Sequence, residues 1–310
     1  NNQMEMKTKL FIFSFFLFLQ SSYLFSQTDT IVIHDTIMVI DNSIPEYIDA
    51  FYKADYSTCA SEAEKLLENS SKDGFLYYYL FSSYASLGDS AGFMRVAGTV
   101  SPDVDVLYVF RDEKIRSMLG VKMFTNLQML FQANVIKKCP DADFDYMCIL
   151  SSCDLQTSLY RSIYRLYFSD QEKMKTFFDA QESLDSLNFV VLQQTIKIKG
   201  LPTRKKVGEA GMRQYMNCVQ HFDNAQFLDT KKDIQKLYRR GEITSVEYAY
   251  YIDRNKAYRN KKQIFATQLK RDSNGELIFH PVRNLKSVDK RRRKMGFDTT
   301  AEQYLKNFSN

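Results

Sequence analysis

From residue 45 onward the apolar positions of the chain recur in steps of three and four, the period of an amphipathic helix. Tyr47, Ala50, Phe51 and Ala54 fall on one face, Cys59, Ala60, Ala63, Leu66 and Leu67 on a second, and Leu76, Tyr79, Leu80, Ser83, Tyr84 and Leu87 on a third that Gly88-Asp89 ends. Further helices are predicted from Pro102 to Phe168, with a loop around Lys137 to Asp145. Ser169-Asp170-Gln171-Glu172 reads as an N-cap with an acidic first turn. A helix over about Ser183 to Lys199 is stopped by Gly200-Leu201-Pro202. Helices are also expected over Val207 to His221 and Thr230 to Arg240, the latter closed by Gly241. Thr244-Ser245-Val246-Glu247 is a capping box that opens one more. Only then does the period change to two. Gln263 to Lys270 alternates like a strand, Asp272-Ser273-Asn274-Gly275 is a turn, and Glu276 to Val282 returns, which predicts a β-hairpin. The expected fold is mainly α: helical hairpins followed by a helical domain with one small β-hairpin.

The first helices resemble a tetratricopeptide repeat. Ala54-Asp55-Tyr56 is similar to the turn between its paired helices and Tyr84 to Asp89 to the close of the next one. The likeness covers roughly one and a half repeats of the usual ~34-residue period.

Ahead of the helices the pattern is of another kind. Met6-Lys7-Thr8-Lys9 is a short basic segment, Leu10 to Leu19 is almost unbroken apolar, and Gln20 to Gln27 turns polar, with small Ser26 before the expected cleavage point. This is the order of a secretory signal, and the apolar run is too short for an ordinary membrane-spanning helix. Residues 1–26 are therefore expected to be a signal peptide, and the protein to be exported to the periplasm or cell envelope, with no stable membrane span once the signal is removed. The first cysteine is Cys59, so none lies near the cleavage region to carry a lipid. Residues 27–44 repeat a β-branched hexad, Asp29 to His34 and Asp35 to Ile40, and read as an extended linker to which His34 belongs.

Charge divides the chain further. The whole carries +5, but from Lys197 to the end there are 26 Lys and Arg against 12 Asp and Glu, a net of +14. With +1 on residues 1–26, the segment between is left with −10. An acidic domain over 45–153 and a basic domain over 154–310 are expected, and a basic unit is suited to an anionic ligand or an acidic envelope protein. The run Arg291-Arg292-Arg293-Lys294 has no Gly-rich phosphate loop, zinc finger or aromatic RNA platform beside it, so nucleic acid is not an expected partner. The five cysteines match no metal knuckle or Cys-x-x-Cys redox motif, and no metal or other cofactor is called for. Cys139, Cys148 and Cys153 cluster closely enough in sequence for a disulfide between two of them to be conceivable.

The residue with the clearest chemical message is Asp253. Val246, Ala249, Tyr250, Asp253 and Ala257 share one helical face, so a carboxylate interrupts an apolar stripe. A buried carboxylate needs a cation or several donors. Arg254 projects about 100° away from it, so the answering group must come from another segment, His221 or a basic residue of the hairpin region. His221 ends its helix, and Cys218 lies three residues before it on the same face. Thr267 and Gln268, on the predicted strand, are expected to point to opposite faces. His280, before Pro281 in an extended stretch, is assigned no chemistry.

The ordered series Asp170-Gln171, Asp185-x-x-Asn188, Gly200-Leu201-Pro202, Val207-Gly208, Gln220-His221, Asp253-Arg254 and Thr267-Gln268 resembles bacterial domain-of-unknown-function family number 6624, over roughly Asp154 to the C-terminus. Gln263 ahead of Ala266-Thr267-Gln268, and Asp289 before Arg291 and Arg292, extend the likeness. Ala266 stands where the family pattern usually has Gly, and Leu201 where it has an aromatic. The resemblance implies candidate residues rather than a reaction: His221, Asp253 and Arg254 as candidate catalytic groups, and Asp170, Gln171, Gln220, Thr267 and Gln268 as candidate ligand contacts. Two readings follow. One is a binding protein with a polar ligand site in its basic domain. The other is an envelope hydrolase with His221 as general base, oriented by Asp253 or Arg254.

Overall fold

A computed structural model describes residues 45–67, 74–100, 105–166, 171–272 and 276–309. The predicted signal, the linker with His34, the Ser169-Asp170 cap and the turn residues Ser273 to Gly275 lie outside the described residues. The fold is mainly α, with one small antiparallel sheet of two strands. The chain divides into two compact units at Ile198/Lys199. That point nearly coincides with the start of the basic stretch at Lys197, whereas Asp154 lies inside a helix.

In the first unit, α1 (Glu46–Tyr52), α2 (Tyr56–Leu67), α3 (Gly74–Leu87) and α4 (Ser90–Ala97) pack in sequence order, α1 on α2, α2 on α3 and α3 on α4. A 3-10 turn (Leu107–Arg111), α5 (Glu113–Lys138), α6 (Phe144–Leu166) and α7 (Gln171–Lys199) follow. Side-chain carboxylates set the starts: Asp89 accepts from the Gly92 N–H at 2.8 Å, Asp112 from Ile115 at 3.0 Å and Asp143 from Tyr146 at 3.0 Å. The core is aromatic. Tyr79 lies edge-on to Phe51 at 5.1 Å and to Tyr47 at 5.4 Å, Phe81 meets Phe93 at 4.5 Å, and Phe110 lies between Phe124 and Phe144. None of the five cysteines, all among the described residues, is in a disulfide. Cys148 and Cys153 are buried, and burial pushes the Cys153 thiol up to about 12, so neither is poised as a thiolate.

The second unit begins with α8 (Arg204–Gln220), capped by Thr203 and interrupted at Gly208. Next come α9 (Asn224–Arg239) and α10 (Ser245–Tyr258), each opened by a capping box, Asp223 with Gln226 and Thr244 with Glu247. The first box places the start of α9 six residues earlier than the hydrophobic pattern alone suggested. α10 packs against α8 and α9, and Tyr251 stacks on Phe227 at 4.2 Å. β1 (Leu269–Arg271) pairs with β2 (Leu277–Phe279), followed by a 3-10 turn (Leu285–Ser287), α11 (Val288–Lys294) and α12 (Ala301–Ser309). The strand expected over Gln263 to Lys270 is mostly a loop. Its backbone from Gln263 to Gln268 lies outside the two strands, joined to the returning segment by a bridge between Gln263 and Val282 and by the His280 N–H donating to the Gln268 carbonyl.

Candidate functional site

That loop organises the second unit, because nearly every polar group of its backbone is claimed by a side chain. Asp253, fully buried on α10, accepts the N–H groups of Ile264 at 2.6 Å, Phe265 at 2.8 Å and Thr267 at 3.3 Å, and the Thr267 hydroxyl at 3.3 Å. The Gln263 amide works from within: its oxygen accepts from the N–H groups of Thr267 and Gln268, and its nitrogen donates to the carbonyls of Gln268 and His280. The carbonyls of Ile264 to Thr267 are taken by α11 and α12. Arg291 Nε donates to Ile264 at 2.7 Å, Arg292 Nη1 to Phe265 at 2.9 Å and Ala266 at 3.3 Å, and the Tyr304 hydroxyl to Thr267 at 3.0 Å. Arg292 is as buried as Asp253; it also donates to Thr299 and lies 4.2 Å above the Phe297 ring.

This arrangement answers the question raised by a carboxylate on an apolar stripe. Its partners are backbone donors and the Thr267 hydroxyl, and among the described residues neither His221 nor a basic side chain bonds to it. Burial pushes the Asp253 carboxyl up from the ordinary range, and the N–H groups of Ile264, Phe265 and Thr267 pull it back. The loop needs such support because Ala266 sits at φ 54°, in the left-handed region that costs an L-residue roughly 1–2 kcal/mol.

From Arg254 hydrogen bonds are donated both ways, to His221 on one side and through Gln268 and Thr267 to Asp253 on the other. The Thr267 hydroxyl donates to Asp253 and accepts from Gln268 Nε2 at 3.1 Å. Gln268 Oε1 accepts from Arg254 Nη1 at 3.0 Å, and Arg254 Nη2 lies 3.1 Å from His221 Nδ1. Thr267 and Gln268 are thus bonded to each other and do not face fully opposite ways: Thr267 belongs to the loop, and Gln268 is the residue at which the ladder with β2 begins, its carbonyl accepting the His280 N–H. A guanidinium has only donors, so His221 Nδ1 must accept, which puts the proton of the neutral ring on Nε2. Arg254 also lies 5.2 Å from the exposed Tyr258 ring. Among the described residues no carboxylate pairs with Arg254, so its charge is met only by neutral acceptors and a ring face.

The structure therefore brings His221, Asp253, Arg254, Thr267 and Gln268 into one network. Gln220, the last residue of α8, is half-buried and takes no part in the chain of bonds. Asp170 lies outside the described residues, as does the side chain of Gln171. Asp185 and Asn188 are bonded within the first unit, Asp185 to Gln181 and Asn188 to the Cys153 carbonyl and Thr157. Cys218 is buried, its carbonyl accepting the His221 N–H, and no group of three or more His, Cys, Asp or Glu among the described residues is arranged for a metal. One residue at this site went unassigned in the sequence. His280 donates its backbone N–H to the Gln268 carbonyl and accepts from Gln263, and Arg254 and Lys270 act on its ring. The signal was available in the hairpin register, which pairs positions two apart on one face.

The comparison with known families falls on this region. Residues 172–309 match the family of unknown function DUF6624. No curated protein and no solved structure matches the chain. The DUF6624 segment begins in α7, within the first unit, and takes in all the residues that hold the 263–268 loop, together with Arg254, His221 and His280.

Proposed function

We propose that this is an exported binding protein whose C-terminal unit holds a small anionic ligand at Arg254, with Gln268 and His221 as neighbours. The observation that carries this reading is the unpaired charge of Arg254. Half-buried, it is fixed by two neutral acceptors and has no carboxylate partner among the described residues. Partly desolvated cations without an internal counter-ion attract an external one, and the net charge of the stretch from Lys197 onward favours approach of anions. The rigid loop behind Gln268 supports the same reading, since a binding group is useful when its own position is fixed. The hydrolase alternative gains nothing from the geometry: the Asp253 carboxylate is spent on loop donors, and an Arg N–H occupies His221 Nδ1. Export rests on the basic, apolar and polar order of Met6 to Gln27.

Calorimetric titration of the full chain with acetate, succinate and sulfate tests the site. Saturable binding of at least one anion is expected, with loss of binding in Arg254→Gln at unchanged helicity. If no anion binds, or Arg254→Gln binds as the wild type does, the reading is wrong. Mass spectrometry of the N-terminus of protein recovered from the cell envelope tests export, and a mature chain that keeps Leu10 to Leu19 would indicate an anchor instead.

A further inference from the structure

The hairpin register extends the site. Lys270 stands opposite Ile278, and the bond from His280 N–H to the Gln268 carbonyl continues the ladder by one step. Side chains alternate across a sheet, so Gln268, Lys270, Ile278 and His280 belong to one face and Leu269 and Phe279 to the other. Phe279 packs on Ala266, Val288 and Ala301, which makes its face the inner one. Gln268 receives Arg254, so the opposite face is the Arg254 face. His280 is fixed there by both its main-chain N–H and its carbonyl, while its ring makes no hydrogen bond among the described residues. The charged groups that act on the ring are Lys270 from β1 and Arg254 from α10. From α12, which packs on β2, Tyr304 sends its hydroxyl to the Thr267 carbonyl.

Resting on the anion-site reading above, we propose that Lys270 and His280 complete that site, and that its ligand bears a doubly charged tetrahedral oxyanion of the sulfate or phosphate type, with His280 taking up a proton as it binds. A single carboxylate is best held by both arms of a guanidinium fork, and here both arms are already engaged with Gln268 and His221. What remains is a set of point charges, Arg254 and Lys270, beside an imidazole without a hydrogen-bond partner among the described residues, and that suits an oxyanion whose charge is spread over several oxygens. Burial first, then Lys270 and Arg254, keep the His280 imidazole below its ordinary value. A bound dianion offsets both cations and so favours the imidazolium.

The test is calorimetry of the full chain with sulfate, which carries no titrating proton in this range, in buffers of different ionisation enthalpy at pH 6 and pH 8. Proton uptake is expected on binding, with affinity rising by up to about tenfold per pH unit on acidification. Acetate should bind at least about tenfold more weakly than sulfate. His280→Asn should abolish uptake and flatten the pH dependence while weaker binding persists, and Lys270→Gln should weaken sulfate at both pH values. A parallel titration with phenyl phosphate tells a free oxyanion from one that heads a larger molecule, by which of the two binds more tightly. Sulfate binding without proton uptake overturns the inference and leaves the anion site standing, as does uptake that survives in His280→Asn and disappears in His221→Asn. Absence of saturable binding by any anion removes both.

Discussion

Both units bury apolar residues, Leu80 and Ile115 in the first and Met212, Ile234 and Leu237 in the second, but they differ in what is built around them. The first is an aromatic core in which Tyr47, Phe51, Tyr79, Phe81, Phe93 and Phe110 meet largely edge to face. The second is centred on a loop whose polar groups are matched one by one by Asp253, Gln263, Arg291, Arg292 and Tyr304. Dispersion and apolar burial are non-directional, so an aromatic core tolerates a change of shape at nearly constant volume. Directional bonds in a dry interior do not, because a single wrong atom leaves a donor or acceptor with no water to turn to. The contrast suggests where specificity lies: a unit that must hold a few side chains in fixed positions spends polar residues on its interior, and a scaffold does not.

Swaps that hardly alter size should separate the two interiors most sharply. Asp253→Asn and Gln263→Glu preserve shape and reverse a donor or acceptor, and each is expected to cost about 3 kcal/mol or more. Arg292→Met, which strips the partners from the Phe265 and Ala266 carbonyls, belongs in the same class. Leu80→Met, equally conservative in size and fully buried in the first unit, should cost less than about 1.5 kcal/mol. Urea unfolding followed by circular dichroism compares them, and similar losses for Leu80→Met and Gln263→Glu would dissolve the distinction.

Within the polar unit, backbone strain offers a finer probe. Ala266 at φ 54° would relax as glycine, so Ala266→Gly is expected to stabilise the protein by up to about 1 kcal/mol, after the extra chain entropy of glycine is set against the relief. Ala266→Val, β-branched in the same conformation, should destabilise it. A loss of stability in Ala266→Gly would show that the network supports this conformation without strain.

A weaker effect follows from pH. His280 is held below its ordinary value of about 6.5, so the unfolded chain takes up a proton before the folded one does. Its neutral form contributes stability that is fully present above that value and is lost as pH falls through it toward the folded value. Melting temperature should therefore decline less steeply on acidification from pH 7.5 to 5.5 in His280→Asn than in the wild type. Equal slopes would remove His280 from the cationic face.

How much of this could be read in the sequence depended on whether the signal was periodic or spatial. The helices declared themselves through spacing and caps, and the Thr244 to Glu247 box was legible to the residue. The Asp223–Gln226 box is just as explicit, but the apolar pattern strengthens only further along α9, which draws the expected start to Thr230. Asp253 was identified because a carboxylate on an apolar face breaks a local rule. Its partners were not, because backbone N–H groups have no sequence signature. The alternation of Gln263 to Lys270 starts the first strand of the hairpin six residues before Leu269 for a related reason: Phe265, Ala266, Thr267 and Gln268 are all buried, so the period of two does not describe which side chains face inward.

The basic run of α11 carries the comparison down to neighbouring residues. Four consecutive cations look alike in the sequence, and the helix sorts them. Arg291 and Arg292 turn inward, one to Ile264, Ser287, Arg283 and Asn284, the other to Phe265, Ala266 and Thr299. Arg293 and Lys294 are exposed and make no ion pair among the described residues. A run that worked as one patch for a polyanion would lose affinity in proportion to each charge removed. A run that works as two structural clamps with two solvated neighbours would not. Arg293→Ala and Lys294→Ala, alone or together, are therefore expected to leave the urea midpoint unchanged within error and to weaken sulfate binding only slightly at low salt, an effect that added salt erases. If instead the double variant abolishes sulfate binding at physiological ionic strength, the anion's principal contacts lie on α11, and the site centred on Arg254 would have to be moved there.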